Sequence, residues 1–424
     1  MAVREEEADV VIVGGGPSGL AAAAELRRLG AGRVIILDRD RQAGGIPRHC
    51  GHYPFGMREF HQMLRGPDYA RRLAEQAQQA GVEIRTLCTV VKLHPGGLVE
   101  MTTPEGLARL RGKAVLLATG VRETSRAGRM IGGEKPGGIL PTGALQGMVY
   151  LNGRRPFRRP VILGSELVSF SALLTCRHAG IRPLAMIEAG PRPVAYAPSR
   201  LLAMAMGVPF HANTRVEAIL GRHRVEQVSL SGPKGTRVIE TDGVIVTGGF
   251  RPEASLLTAS HMDTDPRSGG PAIDQYARLS DPAYFASGNV LRGVETAGWS
   301  WAEGKQVAHS IVASLDGKLA PREDALTIAL EGAIEDALEN AHDGDALKLV
   351  LPQVLVCGYR VMAAHRHLQL RLNRPARGRL ILKQAGKVLT EKRIASRPER
   401  RILLALPEVF SVEDGELRLV FDEE

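Results

Sequence analysis

Asp9-Val10-Val11-Ile12-Val13-Gly14-Gly15-Gly16-Pro17-Ser18-Gly19-Leu20, followed by Ile35-Ile36-Leu37-Asp38, decides the fold. Val10, Val11, Ile12 and Val13 form an unbroken apolar run, the pattern of a parallel strand buried on both faces. Gly14, Gly16 and Gly19 fit G-x-G-x-x-G. The first glycine permits a tight turn, the second lets a diphosphate reach the backbone, and the third lets the helix sit close to the strand. The spacing predicts a helix over 17–29, ended by Gly30, and a second strand over 33–37. Amides in the first helical turn lack intrahelical partners, so the helix presents its positive end to an anion. Gly14, Gly16, Pro17, Ser18 and Gly19 are thus expected to seat a diphosphate. Asp38, with Arg39 beside it, is placed to hold the adenosine ribose.

Working outward, 424 residues predict two or three domains. Lys and Arg number 55 against 46 Asp and Glu, a net charge of +9. Such a charge suits anionic cofactors as well as nucleic acids or membrane surfaces. Aromatic residues make up only 4% and form no basic aromatic stripe, so no nucleic-acid partner is expected. Cys50, Cys88, Cys176 and Cys357 are scattered, which predicts free thiols in a reducing compartment. The N-terminal stretch is acidic and enters the first strand directly, unlike a signal peptide. No run approaches the about 18 apolar residues of a membrane span. A cytoplasmic location without a transmembrane segment is expected.

Beyond Asp38, Gly44 and Gly45 form a second glycine pair, and His49-Cys50-Gly51-His52 gathers two imidazoles and a thiol. These could bind a metal, but no second ligand pair lies at suitable spacing, so no metal is expected. Cys50 and His52 are instead the candidate catalytic residues. Helices are predicted over 56–64 and 67–80, and a strand over 82–86. Strands over 89–93, containing Val90, 98–103 and 107–111 form a meander. Ala114-Val115-Leu116-Leu117-Ala118-Thr119-Gly120 is a further buried strand closing in Ala118, Thr119 and Gly120.

Val161-Ile162-Leu163-Gly164-Ser165-Glu166-Leu167-Val168-Ser169 opens a second strand–turn–helix, and 183–187 ends in Glu188. Gly164, Ser165 and Glu188 are candidates for a second nucleotide. The glycine pattern is damaged, however. Glu166 stands where the backbone should meet a diphosphate, and Ser169 replaces the third glycine. A carboxylate there repels phosphate unless it turns away. Retained NAD(P) binding and a degenerate scaffold both remain open. A hairpin over 225–230 and 236–240 precedes Gly243-Val244-Ile245-Val246-Thr247-Gly248-Gly249-Phe250-Arg251-Pro252.

Tyr284-Phe285-Ala286-Ser287-Gly288-Asn289 and Glu295-Thr296-Ala297-Gly298 then lead into a helix from about Trp299 through Val312. Past about 320 the composition changes. A short amphipathic helix is predicted over 325–341. Short apolar runs at 368–372, 380–382, 401–404 and 417–421 predict a small β module, strongly basic between Arg371 and Arg401.

Residues 1 to about 320 resemble the two-dinucleotide-domain flavoproteins of the pyridine nucleotide-disulfide oxidoreductase type, with four motifs in the right order. The closer likeness is to FAD subunits of bacterial heteromeric dehydrogenases such as hydrogen cyanide synthase, opine oxidase and the alpha chain of sarcosine oxidase. It is carried by GGIPRHCGHYPFGMREF, ATGVRE, VSFSALLTCRHAGIRP and GNVLRGVETAGWSWAEGK. The resemblance implies an α/β fold with two Rossmann-like dinucleotide-binding domains, the FAD domain discontinuous, plus a small C-terminal, mainly β module. The boundaries follow as 1–125 and 253–320 for the FAD domain, 126–252 for the NAD(P)-binding-like domain, and 321–424 for a helical linker and the β module.

It further implies that Gly44 and Gly45 close over the FAD diphosphate, and that the His49–His52 loop lies beside the flavin. Gly288 and Asn289 would meet the ribityl chain, Asn289 replacing the usual acid. Thr296 and Ala297 would begin a helix aimed at the flavin N1–O2 edge. Disulfide-exchanging relatives carry two cysteines where this chain has Cys50 alone, so a resident dithiol is not expected. Some relatives hold an iron–sulfur centre near the C-terminus. Only Cys357 lies there, so none is expected here. Three functions are consistent with the sequence. The first is an electron-transferring subunit of a multimeric dehydrogenase or oxidase acting on a small amine, amino acid or hydroxy acid. The others are a single-chain NAD(P)H-dependent flavin reductase and a non-catalytic FAD-containing scaffold.

Overall fold

The computed structural model describes residues 5–195, 199–331, 346–357, 363–398 and 400–424. The chain divides into two compact units: residues 1–45, 70–121 and 251–424 form one, and 46–69 with 122–250 the other. The stretch 46–69 therefore groups with the second unit, and the C-terminal strands with the first.

In the first unit, Glu5–Val13 pairs in parallel with Val34–Leu37 on one side and Gly106–Leu117 on the other. Glu83–Arg85 extends the sheet beyond Val34–Leu37, and Tyr284–Ala286 returns beside Gly106–Leu117. The strands carrying the opening motif are buried on both faces: Val10, Val11, Ile12, Ile35 and Ile36 are all at 0% exposure. That is why they read as continuous apolar runs rather than alternating ones. The meander and the strand ending in Ala118-Thr119-Gly120 are not separate, as the sequence predicts. Gly106–Leu117 is one 12-residue strand whose first half pairs with Leu98–Thr103 and whose last residues pair with Tyr284–Ala286. Arg111, Gly112 and Lys113 interrupt the apolar pattern without interrupting the backbone ladder.

The C-terminal residues of this unit form a five-stranded and a three-stranded sheet around a leucine core including Leu368, Leu370, Leu380, Leu382, Leu417 and Leu419. The amphipathic helix predicted over 325–341 is not formed in its described part: Ala325–Glu331 is a strand. Residues 332–341 lie outside the described residues. Ile328 pairs with Leu417 on one side, and Ala325 pairs with Val356 on the other. Pairing on both edges overrides the helix propensity of Ala and Leu.

In the second unit, Phe210–His211, Ala185–Ile187, Val161–Leu163, Val244–Val246 and Ile139–Pro141 make a parallel sheet. The predicted hairpin is present as Gln227–Gly232 and Gly235–Glu240. The helix predicted over 56–64 is not. Phe55 and Leu64 exchange backbone hydrogen bonds of 3.0 and 2.8 Å, and Gly56 and His61 take positive φ, so the segment closes as a loop.

Candidate functional site

The first glycine turn is built as its sequence predicts. Gly14 has φ +111°, and a Cβ there would overlap the Ala118 carbonyl. A Cβ at Gly19 would overlap the carbonyl oxygen of Gly14, so helix Pro17–Arg28 packs against the turn at a distance only glycine allows. Gly16 differs from both. No atom lies within 4 Å of the position its Cβ would occupy, and it heads the helix with no side-chain cap. An open cradle with uncapped amides at a helix start fits a diphosphate.

The remaining predicted residues of this site gather around that cradle. Gly44 donates to the Gly15 carbonyl at 2.6 Å, and a Cβ on Gly45 would come 2.9 Å from Gly16 Cα. Asp38 is buried, accepting from Gly15 N–H at 3.0 Å and Asp40 N–H at 2.8 Å. A carboxylate has about four acceptor positions, so ribose hydroxyls can still be received. Arg39 is exposed, and Val90 is buried two residues after Cys88, whose N–H donates to the Asp38 carbonyl at 2.9 Å. Thr119 donates to the Glu253 carbonyl at 2.8 Å, and Gly120 takes φ +80°.

Ser18 and Ser287 share a hydroxyl–hydroxyl bond of 2.6 Å, and a Cβ on Gly288 would lie 2.9 Å from Ser18 Cβ. The Gly288 turn and the first glycine turn thus form one site. Asn289 is tied to Glu295: its Oδ1 accepts from Glu295 N–H at 2.7 Å and its Nδ2 donates to Glu295 C=O at 3.1 Å. One lone pair and one N–H of the amide are left for a ligand. Thr296 is the N-cap and Ala297 the first residue of helix Ala297–Leu315, which has no side-chain cap and no acid in its first turn.

Two buried ionic residues hold this turn, and neither is among the residues the sequence singles out. Glu303 accepts from Gly288 N–H at 2.7 Å and from Arg292 Nη1 and Nη2 at 3.1 and 2.8 Å. Burial opposes ionisation of Glu303, but the Arg292 charge and the hydrogen bonds from Arg292 and Gly288 hold the carboxyl below its usual range. His365 lies 3.9 Å from Glu303, and burial pushes its pKa down to about 4 despite that carboxylate, so it is neutral at neutral pH.

The second turn keeps the shape of the first without its opening. Gly164 has φ +115°. Ser165 donates to Glu188, whose other oxygen accepts from Gly190 N–H at 2.8 Å. Glu166 is the N-cap of helix Leu167–His178 and does turn away from it, with its Oε1 accepting from Gly249 N–H at 2.7 Å. A Cβ on Gly248 would overlap the Glu166 carboxyl, so that carboxyl fills the space beside the Gly248–Gly249 corner. Ser169 is fully buried and bonded to Thr247. The second turn thus carries a side chain at the position where the first has the open Gly16.

Cys50 and His52 stand at the two ends of a hydrogen-bonded chain within the second unit. His52 Nδ1 contacts the Tyr53 carbonyl at 3.0 Å and must donate there, so its Nε2 accepts from Ser171 at 2.6 Å. Ser171 in turn accepts from Gln146 Nε2 at 2.7 Å, and Gln146 Oε1 accepts from the Cys50 thiol at 3.5 Å. Each link of the chain pairs one donor with one acceptor. Burial, with the Glu123 charge adding to it, pushes the Cys50 pKa up to about 12. Burial of this kind disfavours the thiolate form. All four cysteines are free. Among the described residues no group of three or more His, Cys, Asp or Glu is placed to hold a metal ion. No described helix is long and apolar enough to cross a membrane.

Gln146, Ser171, Arg292, Glu303 and His365 are the residues that sequence reasoning missed. Glu303 had a detectable signal, an acid inside the apolar helical run after Trp299. Gln146 and Ser171 had none.

Residues 8–304 match the family model described as pyridine nucleotide-disulphide oxidoreductase, a family that binds FAD and NAD(P). The chain is 26% identical over 351 residues to an opine oxidase subunit from Agrobacterium tumefaciens (strain Ach5), covering 75% of this chain and 68% of that one. It is 25% identical over 311 residues to the alpha chain of sarcosine oxidase from Rhizobium meliloti (strain 1021), spanning 68% of this chain but only 28% of that one. The fold is similar to the crystal structure of T. acidophilum thioredoxin reductase, with a TM-score of 0.61 and 24% identity, over 73% of this chain and 99% of that chain.

Proposed function

We propose, for a chain that belongs to the pyridine nucleotide-disulphide oxidoreductase family, that it is the FAD-bearing, electron-transferring subunit of a multimeric dehydrogenase or oxidase. The observation that supports this is the contrast at the two turns: Gly16 is open, whereas Glu166 at the matching position carries a carboxylate bonded to Gly249. Bound FAD supplies hydride acceptance and onward electron transfer. The chain's own residues seat the diphosphate on the Pro17–Arg28 amides, receive the ribose at Asp38 and offer the Asn289 amide to the polyol.

The relatives' names, those of chains from an opine oxidase and a sarcosine oxidase, favour a small amine or amino acid, or a related hydroxy acid, as the electron source. A partner protein would bind that substrate, and the exposed basic strand Lys387–Ser396 is a suitable docking edge for it. Disulfide exchange is disfavoured by the buried, hydrogen-bonded Cys50, whose pKa burial raises. Four free cysteines favour the cytoplasm as the compartment.

Anaerobic titration of the purified yellow protein tests the proposal. The expected outcome is NADH and NADPH binding weaker than about 1 mM, worth less than about 4 kcal/mol, with the flavin left oxidised. Micromolar affinity with immediate bleaching would replace this reading by a self-sufficient NAD(P)H reductase.

A further inference from the structure

The loop between Asn289 and helix Ala297–Leu315 is gripped from the C-terminal strands. Arg371, on His367–Leu372, donates to the carbonyls of Gly293 and Val294 at 2.8 and 2.7 Å and to the Glu295 carboxylate at 2.6 Å. Arg401 donates from Nε to Glu295 Oε1 at 3.2 Å and from Nη2 to Oε2, and its guanidinium lies 4.0 Å above the Trp299 ring. Arg292 Nε stands 3.8 Å from the same carboxylate. The Glu295 and Arg371 side chains are only 7% and 4% exposed.

This cluster reaches the cofactor cradle by a short path. Glu295 is tied through its backbone to Asn289, the next residue back is Gly288, and Gly288 rests on Ser18. Anchoring a β module would not need such an arrangement, because apolar side chains of similar volume bury at least as favourably as ion pairs. The charges do not cancel either. Arg292, Arg371 and Arg401 face Glu295 and Glu303, with His365 neutral, which leaves one net positive charge. It sits at the start of a 19-residue helix whose dipole is already positive there and whose first turn carries no acid.

We propose that Arg371 and Arg401 are positioning residues for the redox cofactor: they preset the loop 289–295 and supply the net positive charge that favours a cofactor carrying extra negative charge. The C-terminal module is then part of the flavin site rather than only a docking surface. The inference rests on FAD occupying the first glycine turn. Arg371 acts through Glu295 and the two carbonyls before it, and Arg401 through Glu295 and the Trp299 ring.

Arg401→Gln and Glu295→Gln, made in the full FAD-loaded chain, test it by two readouts: the midpoint potential against reference dyes, and FAD affinity from titration of the apoprotein. Arg401→Gln removes a positive charge and lowers the potential; Glu295→Gln removes a negative one and raises it. A tenfold change in relative affinity for reduced over oxidised flavin corresponds to about 30 mV for a two-electron couple. Both variants bind FAD several-fold more weakly, because each loosens the loop. Arg401→Lys keeps the charge, so it restores the potential while affinity stays reduced, and it stands in if Arg401→Gln does not fold. Shifts of opposite sign support the proposal, since simple loosening would move both variants the same way. Unchanged potentials, or shifts of one sign, overturn it while leaving FAD binding intact. A wild-type chain that neither retains nor rebinds FAD overturns the cofactor placement, and the inference with it.

Discussion

Two residues after Gly14 the first turn has Gly16, with open space where a side chain would be; two residues after Gly164 the second has Glu166, whose carboxylate has swung onto Gly249. Both opening glycines take nearly the same φ, +111° and +115°, and both are followed by a 12-residue helix. Both strands lie between two parallel neighbours. Strand burial and the first glycine therefore suffice to build the strand–turn–helix. On the function proposed above, the anion seat depends on something narrower, the absence of a side chain at one position. Architecture and ligand binding are specified by different residues of a six-residue motif, so one can persist while the other is lost.

The sharpest way to break this comparison is to close the open turn. Gly16 sits at φ −80°, ψ −176°, extended backbone that any residue adopts, and a Cβ there has open space around it. Gly16→Val is therefore expected to cost the apoprotein no more than about 1 kcal/mol, the loss of a favourable N-cap residue. FAD affinity is expected to fall at least about 100-fold, or about 2.7 kcal/mol. Flavin absorbance after gel filtration, set against the apoprotein melting curve, checks both halves. Full yellow colour in the variant would show that the diphosphate lies elsewhere.

Opening the closed turn is the converse. Glu166→Gly removes the carboxylate from the Gly248–Gly249 corner and leaves the Gly249 N–H for a ligand. NADH affinity is expected to tighten about tenfold, or about 1.4 kcal/mol, at a stability cost of about 1 kcal/mol for the lost hydrogen bond. FAD content should not change. Calorimetric titration of the variant against wild type reads the gain. If affinity stays where it was, another group blocks the site, and Glu188, both of whose oxygens are already bonded, becomes the first suspect.

The same contrast marks what was legible in the sequence. Apolar runs bounded by glycines gave away both parallel sheets, because burial on two faces leaves no room for polar alternation. The first turn and its Asp38 were legible residue by residue. Glu166 was legible as an intrusion, though not its destination, since Gly249 lies 83 residues further on. Pairings between distant segments escaped altogether. Ala325–Glu331 has helical composition but is claimed by strands from 354–356 and 417–423. Arg371 occupies the polar phase of Leu368-Gln369-Leu370-Arg371-Leu372, which reads as a solvated face, yet Glu295 and two carbonyls bury it. Cys50 and His52 were found as reactive types. Their hydrogen bonds to Gln146 and Ser171 span 96 and 119 residues, beyond the reach of local pattern.

The smallest effect belongs to the third position of the motif, where Gly19 faces Ser169. A Cβ at Gly19 would overlap the Gly14 carbonyl oxygen, whereas the Ser169 side chain is accommodated and fully buried. Thr247 Oγ1 donates to the Leu163 carbonyl at 2.9 Å, so in the Ser169–Thr247 pair it is Ser169 that donates. Ser169→Ala then leaves every donor satisfied and strips one acceptor lone pair of its partner. The expected cost is about 1 kcal/mol, the ordinary net worth of a single hydrogen bond. It is a property of the fold and not of the site, so NADH affinity should be the same in Ser169→Ala as in wild type. It should also be the same in Glu166→Gly with and without Ser169→Ala. Chemical denaturation of the single variants, with calorimetry of the single and double variants, separates the two quantities. A tenfold gain in NADH affinity from Ser169→Ala alone would move the defect of the second turn from its middle residue to its last. The serine would then be holding the helix away from the ligand, and the carboxylate of Glu166 would be a bystander.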